Sequence, residues 1–139
     1  MVRAVAFSPS GKFLASLGGP DDNSIIVWDL QTHQPICGSL ASSDSSGETV
    51  CLAYFCKDDF KFTTGGFGTL RTWSLDVAQR KIRPTSVQSG QIKRIVKCIV
   101  VDKNDEYMYC GTTTGDLMQV SLQTNLFKNS GPKDKVLTA

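Results

Sequence analysis

The chain has 139 residues, 40% of them hydrophobic and 20% charged, with a formal net charge of +2. That fits one domain of ordinary size and excludes wholesale disorder. No apolar run approaches the roughly 20 residues of a membrane-spanning helix, and the N-terminus lacks a signal-peptide pattern, so a soluble intracellular chain with no membrane partner is expected.

Short β-like runs separated by turns begin at once. The first unit reads Val2 to Phe7, a turn at Ser8-Pro9-Ser10-Gly11, Lys12 to Leu17, a second turn, then Ser24 to Leu30. The second reads Val50 to Phe55, a turn at Lys57-Asp58-Asp59, Phe60 to Thr64, a glycine-rich turn, then Thr69 to Leu75. The third reads Ile95 to Val101, a turn at Asp102 to Asp105, Tyr107 to Cys110, Gly111 to Gly115, then Asp116 to Leu122. No stretch keeps an i, i+3, i+4, i+7 apolar stripe for three turns, so the chain reads as all-β.

The anchors Trp28, Trp73 and Val120 fall 45 and 47 residues apart. A period of about 40–45 residues, with several strands per unit and a closing Trp-Asp, is the signature of a WD-repeat propeller blade. The expected fold is therefore a partial WD-repeat β-propeller of about three four-stranded blades, bounded at 1–48, 49–92 and 93–139. Trp28-Asp29 matches in full, while Trp73-Ser74 and Val120-Ser121 are degenerate forms of the same anchor, expected at equivalent buried positions between blades. Gly-His is absent, and the Asp slot of the repeat holds Asp22, Phe67 and Thr114 in turn. The hydrogen-bonded network around the Trp is thus expected to fail in at least two blades. Three blades cannot close a ring of about four to eight, and both ends of the chain look cut. The remaining blades of a parent propeller are accordingly an expected partner.

Little in the sequence suggests catalysis. Five cysteines, at 37, 51, 56, 98 and 110, form no Cys-x-x-Cys pair, and His33 is the only histidine. No metal cage and no cofactor are expected, and the thiols read as small core residues in a reducing compartment. Gly11-Lys12-Phe13 lacks the earlier Gly and the hydroxyl of a P-loop, and Gly66-Phe67-Gly68 meets Arg71 where a dinucleotide loop needs Gly. His33 reads as a solvated turn residue. Asp21-Asp22 and Asp58-Asp59 read as turn carboxylates that bond to their own backbone.

Charge is unevenly spread: residues 71–97 carry seven basic groups against Asp76 alone. Arg80, Lys81, Arg83, Lys93 and Arg94 flank a Pro- and Ser-containing segment expected to form an outer strand and the crossover to the next blade. Two readings stay open here, a solvated loop or an electrostatic contact with an acidic protein partner. No aromatic is interleaved among these residues, so nucleic acid is not an expected partner.

Several stretches carry a closer likeness. They are Leu17-Gly18-Gly19 with Ile25 to Leu30, Gln34 to Ser39, Gly68 to Asp76, Arg80 to Thr85, Gly90 to Val96, Gly111 to Asp116 and Gly131 to Lys135. Together they resemble the cilia- and flagella-associated protein 52 family, WD-repeat proteins of motile axonemes, over nearly the whole chain and through its irregular inter-blade segments. The resemblance implies a long, non-enzymatic protein with tandem propellers, located in the axonemal cytoskeleton of cilia and flagella. It also implies a place inside the doublet microtubule, binding tubulin and other inner proteins and stabilising the wall. The alternative is a WD-repeat adaptor that recruits partners in another cytoplasmic complex, such as a ubiquitin ligase.

Overall fold

The computed structural model describes residues 2–19, 23–41, 49–67, 69–87 and 95–131. The first twenty-nine residues hold β1 (Val2–Phe7), β2 (Phe13–Gly18) and β3 (Ser24–Asp29), and β4 (Gln34–Leu40) follows. Next come β5 (Thr49–Tyr54), β6 (Lys61–Gly66), β7 (Leu70–Asp76) and β8 (Lys81–Ser86). The last four are β9 (Val96–Val101), β10 (Tyr107–Thr112), β11 (Leu117–Ser121) and β12 (Leu126–Gly131). They pair as three antiparallel four-stranded meanders, β1 to β4, β5 to β8 and β9 to β12. No helix occurs among the described residues.

The sheets stand side by side, with β5 adjoining β1 on one side and β9 on the other. Strand alternation explains the stacking: β2 buries Phe13, Ala15 and Leu17 on one face, and β3 buries Ile25 and Val27 on the same side. These meet Tyr54, Phe62, Trp73, Leu75 and Ile82 of the second sheet in one core cluster. A second cluster joins Cys51 and Phe55 to Val96, Val101, Met108, Cys110, Met118, Val120 and Leu122.

The repeat is exact in register at its inner hairpins. Phe7, Tyr54 and Val101 face Leu14, Phe62 and Met108 across the first hairpin of each sheet. A β-bulge recurs at one place in all three, so Arg3, Val50 and Lys97 are the extra residues of the inner strands. One substitution breaks the repetition for a packing reason. Gly65 stands where the first sheet has the buried Leu17, and a Cβ there would lie 3.0 Å from Val96 Cγ1 and 3.2 Å from Ile99 Cδ1. The third sheet thus approaches β6 through the space that a side chain would fill.

The cysteines divide in a way the sequence did not predict. Cys51 and Cys110 are buried, and desolvation pushes their thiols up to about 11 and about 12, whereas Cys56 and Cys98 are exposed. Cys98 follows the charged bulge residue Lys97 on the inner edge, which corrects its expected place in the core.

Candidate functional site

The three anchors occupy one register position: Trp28 faces Leu14, Trp73 faces Phe62 and Val120 faces Met108. Trp73 is 1% exposed, stacks on Phe62 with centroids 6.1 Å apart, and donates its indole N–H to Thr64 Oγ1 at 2.9 Å. Trp28 donates to Ser16 Oγ at 3.0 Å, and Ser16 is the register equivalent of Thr64. The indole-to-hydroxyl half of the WD network therefore persists in both Trp-bearing sheets, although the Asp slot is lost in the second. Asp21 and Asp22 lie outside the described residues. In the third sheet the same two positions hold Val120 and Cys110, both fully buried, so apolar contact replaces the hydrogen bond.

Trp28 departs from the expected burial: it is half-exposed. Trp73 and Val120 press their faces on the preceding sheet, and no sheet precedes the first among the described residues. Beyond the anchors, Asp29 caps its own turn by accepting from Gln31 N at 2.8 Å, and Ser121 Oγ accepts from Thr124 N at 3.4 Å. Ser74 is exposed, and Asp76 takes over the capping, accepting from Gln79 N at 3.1 Å.

Polar clasps tie each sheet to the one before it. Asp59 Oδ1 accepts from Ser10 N at 3.0 Å, across 49 residues, and this amide holds the Asp59 carboxyl below the usual carboxylate range. Asp105 grips two amides of the second sheet's turn, with Oδ1 on Cys56 N at 2.6 Å and Oδ2 on Lys57 N at 2.8 Å. Asp58, by contrast, does what a turn Asp is expected to do, accepting from Phe60 N at 2.8 Å. Sequence reasoning assigned Asp59 to its own turn and gave Asp105 no role. The signal that could have found both is their 46-residue spacing, which matches the repeat.

A second clasp uses the last residue of each outer turn. His33, Arg80 and Asn125 all adopt left-handed backbone there, with φ of 59°, 55° and 55°. Arg80 reaches back to the first sheet, donating Nε to Ile36 O at 3.1 Å and an Nη to Pro35 O at 3.0 Å. Asn125 Oδ1 accepts from Thr72 Oγ1 of the second sheet at 3.0 Å. His33 is exposed, as expected.

The basic sector is therefore not one uniform patch. Arg80 bridges two sheets beside an open groove of about 310 Å³ lined by Thr32, Gln34, Pro35, Val77 and Ala78. Arg83 donates to Gln79 Oε1 at 2.8 Å and lies 3.8 Å from Asp76, while Lys81 is exposed on the same edge strand. Lys93 and Arg94 lie outside the described residues.

Two apolar faces remain uncovered at the ends of the stack. The first sheet bares Val5 and Phe7 (65% exposed) beside Trp28, and the third bares Val100 (64% exposed), Tyr109 and Leu117. Phe7 is the equivalent of Tyr54 and Val101, which neighbouring sheets bury. Among the described residues, no group of three or more His, Cys, Asp and Glu side chains is placed to hold a metal ion.

The WD domain, G-beta repeat family matches residues 1–29. The solved β-propeller domain of Cps50 (Swd1) from Myceliophteria thermophila superposes with a TM-score of 0.75, covering 94% of this chain and 43% of that one at 14% identity. The chain has the β-propeller fold, and its first 29 residues match a WD repeat. It is similar to cilia- and flagella-associated protein 52. The Chlamydomonas reinhardtii protein is 45% identical over 131 residues, 94% of this chain and 21% of the relative. The Homo sapiens protein is 46% identical over 136 residues, 96% of this chain and 22% of the relative. This WD-repeat chain thus spans about a fifth of the length of those curated relatives. The WD-repeat fold typically serves as a non-catalytic protein-interaction scaffold.

Proposed function

We propose that the chain supplies three consecutive blades, at 1–48, 49–92 and 93–139, to a larger propeller in a structural protein of cilia and flagella. The observation that carries this reading is the likeness to cilia- and flagella-associated protein 52, which runs through 94–96% of the chain, turns and inter-blade segments included. The uncovered apolar faces agree with it, because Val5, Phe7, Val100, Tyr109 and Leu117 are the side chains that adjoining blades would bury. The chain acts by holding other proteins in place. It catalyses no reaction.

Its partners are tubulin and other axonemal inner proteins, and the scaffold stabilises the doublet microtubule wall from within. The contact falls on the basic sector, with Lys81, Arg83, Lys93 and Arg94 meeting an acidic surface and Arg80 adding charge while it joins two blades. Rim charges of this kind govern association rate and salt dependence. Reversing Lys81, Arg83 and Lys93 to Glu in the full-length protein is expected to release it from isolated axonemes at lower salt than the unaltered protein. Equal retention across the salt series, with the variant folded, overturns the contact.

A further inference from the structure

The carboxylate clasp repeats with a direction. In register terms Gly11, Asp59 and Asp105 are equivalent, each three residues ahead of the residue that closes its inner hairpin: Leu14, Phe62 and Met108. The amides they address are equivalent too. Pro9 and Ser10 in the first turn correspond to Cys56 and Lys57 in the second and to Lys103 and Asn104 in the third. Pro9 has no N–H, which explains why Asp59 binds one amide, that of Ser10, where Asp105 binds two. Donor supply and carboxylate bonding match at both joints.

The third turn offers Lys103 N and Asn104 N, and neither has an acceptor among the described residues. Its other amides are accounted for: Asp105 N donates to Asp102 O, and Glu106 N donates to Asp102 Oδ1. Two adjacent amides in the geometry that already grips a carboxylate one blade earlier make a carboxylate receptor. We propose that the Lys103–Asn104 turn is a docking point for a following blade that presents an acidic side chain at the turn position of Asp59 and Asp105. Val100, Tyr109 and Leu117 form the apolar part of the same surface.

A second copy of this chain is the wrong occupant. The blade that it would present to this surface is its first, and the equivalent of Asp59 there is Gly11, at φ 78° and with no side chain to reach across. The joint ahead of the first blade therefore lacks a clasp, and the joint behind the third awaits one. A following blade also continues an interface that the chain builds twice. This inference rests on the proposed reading that further blades adjoin the third.

Residue-resolved amide exchange tests it, on the 139-residue chain and on the full-length protein. In the 139-residue chain, Cys56 and Lys57 amides are expected to be protected and those of Lys103 and Asn104 to exchange freely. In the full-length protein the latter pair is expected to slow about tenfold or more, as a charge-assisted bond provides. Asp105→Ala is the control, releasing Cys56 and Lys57 alone. Reagent access to Tyr109 reports separately whether the trailing face is covered. If Tyr109 is shielded and the Lys103 and Asn104 amides still exchange freely, the clasp is wrong while the larger ring stands. If Tyr109 stays accessible in the full-length protein, the proposed ring fails and the clasp with it. Protection that appears in the 139-residue chain and grows with its concentration assigns the surface to a second copy and also overturns the proposal.

Discussion

The two joints of the stack reach cohesion by different means. The joint between the first and second blades is aromatic: Phe13, Tyr54, Phe62 and Trp73 meet there, with Phe62 and Trp73 stacked at an interplanar angle of 9°. The joint between the second and third is built from Met108, Met118, Val120 and the thiols of Cys51 and Cys110. The carboxylate clasps lean the other way, since Asp105 binds two amides across the second joint and Asp59 only one across the first, where Arg80 adds two bonds of its own. Aromatic rings bury large areas and Met and Cys fill irregular gaps, so the joint with smaller side chains carries the stronger clasp.

Substitutions can break that comparison, and the anchors give the largest expected effect. Trp73→Ala empties a fully packed site and is expected to cost about 3–5 kcal/mol, against about 2–3 kcal/mol for Val120→Ala. Chemical denaturation of both variants measures the difference, and equal costs would remove the claim that the joints differ.

The clasps come next. Asp105→Ala is expected to cost about 1–2 kcal/mol and Asp59→Ala no more than about 1 kcal/mol, because the first removes two exposed charge-assisted amide bonds and the second one. For Asp59 the sign with pH follows from its lowered carboxyl value. The bond's contribution is full above the ordinary carboxylate range near pH 4 and is lost as pH falls through the lower folded value. The stability gap between the unaltered chain and Asp59→Ala should therefore be constant from pH 7 to about pH 5 and close below about pH 4. A gap that widens on acidification contradicts the clasp.

The smallest expected effect has the opposite sign. Tyr54 Oη is buried in the first joint with no hydrogen-bond partner among the described residues, and burial drives its phenol value strongly upward. Tyr54→Phe keeps the ring contact with Phe62, whose centroid lies 5.4 Å away, and removes the unpaired hydroxyl. A gain of up to about 1 kcal/mol is expected in thermal unfolding, and a loss would reveal a partner for that hydroxyl.

Much of the architecture was legible from the residues. Alternating apolar positions around Ala15, Val27 and Met108, punctuated by turns every few residues, announce strands, and the spacing of Trp28, Trp73 and Val120 sets the repeat. What stayed hidden were contacts whose two halves lie far apart in the chain. Asp59 looks like any turn carboxylate until Ser10, 49 residues earlier, is seen beside it. Arg80 reads as a free surface charge because nothing in its neighbourhood predicts left-handed backbone or a reach to Pro35 and Ile36. Trp28 misled in the other direction, since no sheet among the described residues covers the face on which it lies.

All the clasps also point backward along the chain, and this gives synthesis a tempo. Ser10 is ready long before Asp59 exists, and Pro35 and Ile36 wait for Arg80. At about 5–20 residues per second, the 49 residues between Ser10 and Asp59 take about 2–10 s to make. Each blade therefore leaves the ribosome as an unfastened sheet with a bare apolar face and is latched only by its successor. The growing end is always the loose one, and it is there, on the newest blade, that a chaperone would find its substrate.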